Sequence, residues 1–266
     1  MPDHKTPVLF IHGLWLHAQS WKDWIDFFRE AGYEPIAPSW PGIPDTVAET
    51  RAHPEGMVGK GIADVADHYA GIIARLPAKP IVIGHSFGGL IAQNLLGRGL
   101  AAAAIAIDAA PIKGVLPLPL SAVRVAFVAL KNPSNRKRAV SLTEGEFRYG
   151  FANTVSEKEA TELYERWSIP APGRPLFQAA FANINPKAES KVDTGNAERG
   201  PLLLIAGEKD HTVPPAITRA TLKQYRTSKA VTDFKELAGR GHSLTIDSGW
   251  RDVASTGLSW LKEHAL

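Results

Sequence analysis

Short, almost unbroken apolar runs recur in the first and last parts of the chain, with stretches of helical periodicity between them. The runs are Val8–Ile11, Glu34–Ala37, Ile81–Ile83, Ala103–Ile107 and Leu202–Ile205, and a sixth, Val231–Leu237, alternates apolar with polar positions. Strands covered on both faces read as continuous apolar runs, whereas alternation marks a strand with one wet face. The pattern therefore predicts five inner strands and an edge strand at Val231–Leu237. Helical patterns fall at Trp21–Ala31, Gly61–Arg75, Gly88–Leu96, Pro215–Tyr225 and Trp250–Glu263. Strand and helix in alternation predict a doubly wound α/β fold, with a mostly parallel sheet of about six strands and helices on both faces. Trp21, Trp24, Phe27 and Phe28 lie near helical spacing and are read as core rather than as a substrate wall.

One stretch breaks this rhythm. From Pro111 to about Gly200 no buried strand stands out, but helical patterns do, punctuated by Pro117, Pro119, Pro170, Pro172 and Pro175. Ser156 followed by Glu159 has the form of a capping box opening a helix to Trp167, and Thr143 can cap another through Phe151. Residues 1–110 and 201–266 are expected to form the core, and 111–200 a helical insertion that serves as a lid. A second independent domain is the alternative, disfavoured because the core pattern resumes afterwards.

Composition narrows the chemistry. The 266 residues are 44% hydrophobic and 21% charged with a formal charge of +3, as suits one globular domain with an insertion. The densest basic run, Lys131–Arg138, is short and broken by Pro133. It reads as a solvated loop rather than as a nucleic-acid or anionic-lipid footprint. The chain has no Cys, so disulfides, a thiolate nucleophile and zinc–thiolate ligation are excluded. No apolar run approaches the roughly eighteen residues of a membrane span. The first residues lack the features of a signal peptide, and a cytoplasmic location is expected.

The clearest chemical motif follows the third run. Ile81–Leu90 leads a buried strand into Gly84-His85-Ser86-Phe87-Gly88 and then into a helix. A G-x-S-x-G in that context places the Ser on a strained strand-to-helix turn with its hydroxyl clear of the sheet. Serine needs a base, and His242, in the Gly-rich loop Gly239–Ser243 between the last strand and the last helix, is the choice among nine histidines. Asp210, in the loop after Leu202–Ile205, is the expected acid, with Asp108 after Ala103–Ile107 as its rival. The backbone N–H groups of Leu14 and Phe87 are expected to form the oxyanion hole, which needs two donors about 3 Å from the developing charge. Trp15, His17 and His211 are candidates to line the pocket. His12 and His85, beside glycines at strand ends, read as structural hydrogen-bonding groups, and His4, His53, His68 and His264 as surface residues.

His12-Gly13-Leu14-Trp15, Gly84–Gly89, Gly207–Pro214 and Gly239–Ser243 resemble, in this order, the oxyanion turn, nucleophile elbow, acid loop and histidine loop of the α/β-hydrolase superfamily. The chain is similar in particular to small bacterial esterases, lipase-like enzymes and perhydrolase-type members. The resemblance covers nearly everything from Val8 onward and implies a lid between the sixth and seventh strands of the family sheet, matching Pro111–Gly200. One departure is that only about seven residues precede Val8. The two antiparallel strands that often open the family sheet are therefore expected to be absent.

The expected reaction is hydrolysis of a small carboxylic ester through an acyl-enzyme on Ser86, with no metal or organic cofactor. Lactonase or perhydrolase activity is the alternative within the fold, and a non-catalytic binding relative the alternative outside it. Gly56–Gly61 lacks the Ser/Thr and spacing of a P-loop, and no H-E-x-x-H occurs. Apolar residues at Val115–Leu130 and Leu176–Phe181 favour an apolar acyl or aryl group.

Overall fold

The structure, a computed structural model, describes residues 5–266. His4 lies outside the described residues. Along the core the elements run β1 (Pro7–Ile11), α1 (Lys22–Glu30), β2 (Glu34–Ile36), α2 (Val47–Ala52), α3 (Ile62–Ile73), β3 (Ile81–His85), α4 (Phe87–Gly97) and β4 (Ala103–Ile107). The insertion holds α5 (Leu120–Leu130), β5 (Ala139–Val140), α6 (Glu144–Gly150), α7 (Glu157–Trp167), β6 (Ala171–Pro172) and α8 (Arg174–Ala180). The core then resumes with β7 (Leu202–Gly207), α9 (Pro215–Gln224), β8 (Thr232–Leu237) and α10 (Trp250–Glu263).

Six strands form one parallel sheet in the order β2-β1-β3-β4-β7-β8. The two faces sort by residue parity, as alternation along a strand requires. Leu9, Ile11, Val82, Ala104, Leu202 and Leu204 face α3, α4 and α9. Val8, Phe10, Ile81, Ile83, Ile105 and Ile205 face α1 and α10. Phe10 stacks on Trp21 at 4.9 Å and meets Trp24 and Phe28 edge-on. The aromatic cluster of α1 is thus core, and truncating one of its buried rings to Ala should cost about 3–5 kcal/mol. β8 is the half-buried edge that its alternation predicts.

The insertion is more varied than the sequence suggests. It contains a strand pair, β5 with β6, only two residues long on each side. Two residues carry no readable periodicity, so the pair escapes a pattern search. Thr143 makes the complete capping box, its Oγ1 accepting from Glu146 N at 3.2 Å while Glu146 Oε2 accepts from Thr143 N at 2.8 Å. Ser156 accepts from Glu159 N, but the Glu159 carboxylate reaches out to Ser248 N at 2.6 Å, so that box is only half closed. The insertion is fastened beside the first strand, where Ile169 N donates to Trp15 O and His17 N to Trp167 O. Arg51 adds bonds to the carbonyls of Tyr164, Glu165 and Ser168.

The strand order reverses between β1 and β3, and such switch points at the carboxyl ends of parallel strands are where α/β sheets bind ligands. The register carries hydrogen bonding past the strand ends there. Ser86 N donates to Ile107 O and Asp108 N to Ile205 O, both at 2.9 Å. Residues far apart in sequence are therefore set side by side at one edge.

Candidate active site

Ser86 follows β3 with φ 57° and ψ −122°, a conformation costing a non-glycine residue on the order of 1–3 kcal/mol. Hydrogen bonds on both sides hold it: its N–H bonds Ile107 O, and its carbonyl accepts from Gly89 N and Ala110 N. The turn closes only because both positions are glycine: a Cβ on Gly84 would stand 2.1 Å from Gly88 O, and one on Gly88 2.1 Å from Ile11 O. Gly13 is as tightly placed, since a Cβ there would stand 2.6 Å from Ser86 Cβ. The turn after β1 is thus pressed against Ser86, which sets the Leu14 amide beside it. Among the described residues neither the Leu14 nor the Phe87 N–H is given to another backbone carbonyl. Phe87 N opens α4, where orphan amides and the helix dipole favour negative charge.

His12 fixes this turn. Its Nδ1–H donates to Gly13 O at 2.8 Å, and its Nε2 accepts from Trp40 N at 3.2 Å. Trp40 Nε1 donates in turn to His12 O at 2.9 Å, with the rings stacked. Burial lowers the His12 pKa to about 3, so the ring is neutral. Nothing in the sequence points to Trp40, because the partnership spans two loops.

His242 is fully buried, and its Nδ1 lies 2.6 Å from Asp210 Oδ2. The other oxygen of Asp210 accepts from Thr212 N at 2.6 Å and Val213 N at 2.9 Å, which points the carboxylate at the imidazole. Phe151 meets the imidazole edge-on at 4.7 Å. His85, the residue before Ser86, donates Nε2–H to His242 O at 2.9 Å, its ring tilted against that of His242 at 4.5 Å. Burial, with the neighbouring His242 ring, holds the His85 pKa well below the ordinary value, so it is a neutral strut. His242 Nε2 is buried and makes no hydrogen bond among the described residues.

Asp108 shares the cluster. It sits at φ 42°, its Oδ1 accepts from Gly207 N at 2.7 Å, and its Oδ2 is 3.9 Å from His242 Nδ1. Burial, then the charge of Asp210, pushes its carboxyl well above the usual range. His85, Asp108 and His242 also bring donor types that metals use within 4.8 Å of one another.

Ser86 opens onto a cavity of about 270 Å³ with mainly apolar walls, among them Trp15, Phe87, Val125, Leu176 and Val213. Trp15 is where the sequence reading puts it, at φ 64° with its indole N–H bonded to Val140 O. His17 and His211 are not on these walls. His17 caps the turn Ala18–Trp21 and bonds Pro44 O, facing a separate cleft with Asp45 and Trp167. His211 donates to Tyr149 O and lies tilted against that ring, although its neighbours Thr212 and Val213 do line the cavity. Proximity in sequence to a site loop misleads in both cases, because a backbone acceptor outside the cavity claims the ring.

Comparison with known proteins adds three findings. A family model described as the alpha/beta hydrolase family matches residues 8–256. No curated protein sequence matches. Among solved structures, the monoacylglycerol lipase of Paleococcus ferrophilus is similar at TM-score 0.69 and 20% identity, covering 98% of this chain and 97% of that one. A thermophilic esterase from Thermogutta terrifontis is similar at TM-score 0.66 and 19% identity, covering 98% and 90%. A methylesterase from Arabidopsis is similar at TM-score 0.66 and 16% identity, covering 97% and 99%.

Proposed function

The chain belongs to the alpha/beta hydrolase family, and on that premise we propose that it hydrolyses carboxylic esters through an acyl-enzyme on Ser86. The observation that carries this reading is the arrangement of His242. Its Nδ1 is tied to an aimed carboxylate while its buried Nε2 is free, and the chain beside it rises into a strained serine at the mouth of an apolar cavity. An imidazole held by Nδ1–H has its basic nitrogen at Nε2, the tautomer a serine nucleophile requires. Hydrogen bonds of this kind are often loose in the free enzyme and tighten with substrate.

In this mechanism His242 Nε2 takes the Ser86 proton as Oγ attacks the ester carbonyl. The oxyanion is received by the N–H groups of Leu14 and Phe87, whose positions are fixed before substrate arrives. Asp210 stabilises the imidazolium, which returns its proton to the departing alcohol. Water then repeats the sequence and frees the acid. The apolar walls favour a small apolar acyl group, and esterases and lipases among the structural neighbours agree with ester chemistry. Residues 111–200 serve as the lid, since α5 and α8 supply part of the cavity wall.

The test is covalent. A fluorophosphonate probe should add its mass to one peptide containing Ser86, and the wild-type chain should cleave p-nitrophenyl esters of short acids. A chain that takes no label and turns over no ester would be a binding relative instead. Turnover confined to lactones, or dependent on peroxide, would move the acceptor or substrate while keeping the nucleophile.

A further inference from the structure

The rim of the Ser86 cavity carries an unusual surface. α5 is apolar on both its inner and its outer face: Val125, Val128 and Ala129 pack inward, while Leu120, Val123 and Phe127 form an exposed stripe at helical spacing beside Arg124. A helix with apolar residues on its outer face as well is ordinarily covered. The loop leading into it adds Leu116 at 74% exposure and Leu118 at 79%, and Leu120 itself is 88% exposed. Phe181 and Ile184 stand exposed on the neighbouring segment. The two segments are joined, since Gly114 N donates to Asn183 Oδ1 at 2.7 Å and Asn183 Nδ2 donates to Val115 O at 2.8 Å. Leu118 and Val123 also line the cavity, so the exposed surface continues into it. An apolar surface on the order of several hundred Å² marks a site of interaction.

Charge selects the partner. Residues 111–143 and 176–188 hold seven cations (Lys113, Arg124, Lys131, Arg136, Lys137, Arg138 and Lys187) and no Asp or Glu, in a chain whose formal charge is only +3. The exposed stripe of α5 carries Arg124 within it and ends at Lys131. A second copy seated face to face would set cations against cations. Apolar side chains with these cations beside them in the chain, the adjoining acids Glu144, Glu146 and Glu189 being engaged by Thr161, Thr143 and Arg174, match a layer of acyl chains beneath anionic headgroups. No helix among the described residues is long and apolar enough to cross a membrane, which leaves docking on the surface.

We propose that this rim docks on an anionic lipid surface, with the cavity mouth turned towards it, so that an apolar ester passes from the lipid phase to Ser86. Delivery to Ser86 rests on the hydrolase reading above; the docking does not. Val123 and Leu118 form the passage, and Leu116, Leu120 and Phe127 enter the headgroup layer.

The experiment is co-sedimentation of the full chain with phosphatidylcholine vesicles, with and without phosphatidylglycerol. Partition into the anionic vesicles is expected to exceed that into the neutral ones at least about tenfold, and to fall as salt screens the cations. Leu116→Asp with Leu120→Asp, both outside the cavity wall, should abolish it while leaving hydrolysis of a short water-soluble ester unchanged. Equal partition into both vesicles, no partition, or partition unaffected by the double variant would overturn the proposal. So would dimers in light scattering that the same variant dissolves, which would give the patch to a second copy. Vesicle binding by a chain that cleaves no ester would support docking and remove the hydrolase reading.

Discussion

Two carboxyl groups approach one imidazole at the carboxyl edge of the sheet. Asp210 is 2.6 Å from His242 Nδ1, and Asp108 is 3.9 Å from the same atom. Asp210 also accepts two backbone N–H bonds through its other oxygen, while burial and the neighbouring Asp210 charge push the Asp108 carboxyl well above the usual carboxylate range. An amide can replace a protonated carboxyl with little change in shape or bonding, but it cannot replace the ionised partner. Asp210→Asn is therefore expected to lower kcat by on the order of 10⁴, and Asp108→Asn by far less, with steady-state ester hydrolysis as the readout. The reverse order would move the acid to Asp108. His12 gives a second expectation, about stability. Its folded pKa of about 3 lies below its ordinary value of 6.5, so the unfolded chain binds more protons between those values and stability falls as pH drops below about 6.5. Thermal melts from pH 7 to 4 should show that fall, less steep in His12→Gln. An unchanged slope in the variant would contradict it. Ser86, Asp210 and His242 could be singled out in the sequence because each lies in a turn or loop after a strand, Ser86 directly and the other two a few residues on. Trp40 could not, because its bond to His12 joins loops that only the folded sheet brings together.

Elements show where periodicity is informative. α1 and α10 bury one face each, and their patterns place them within a residue or two. α5 is apolar on both faces and reads as an apolar stretch without a period, while α2, α8 and the β5–β6 pair are too short for any pattern to repeat. These hidden elements, α2 aside, lie in the insertion. α5 and α8 meet the cavity through Val125 and Leu176, yet α5 leaves Leu120 and Phe127 in water. An element with so little of its outer face packed is drawn from the less stable part of a molecule. Amide exchange in residues 120–130 is expected to be faster than in α4, and to slow when a covalent inhibitor occupies Ser86. Exchange in α5 as slow as in α4, and indifferent to the inhibitor, would remove the lid from the account.

Across the whole molecule, the sheet order was not written in the apolar runs, which give strands but not neighbours. Parallel direction, the inner strands and the half-buried edge β8 were legible from composition of the runs, but Glu34–Ala37, read as a strand covered on both faces, forms β2 at the opposite edge with Glu34 exposed, and the reversal of strand order between β1 and β3 emerges only in the fold. That reversal puts the Gly13 turn against Ser86 and leaves the cavity above the strand ends. Everything proposed for the reaction depends on the serine at that point. The decisive measurement is ester hydrolysis by Ser86→Ala beside wild type, with circular dichroism to establish that both are folded. Nucleophile and base act as a unit, so the account expects a folded variant slower by roughly 10³- to 10⁶-fold. A folded Ser86→Ala chain turning over ester at near the wild-type rate would contradict it.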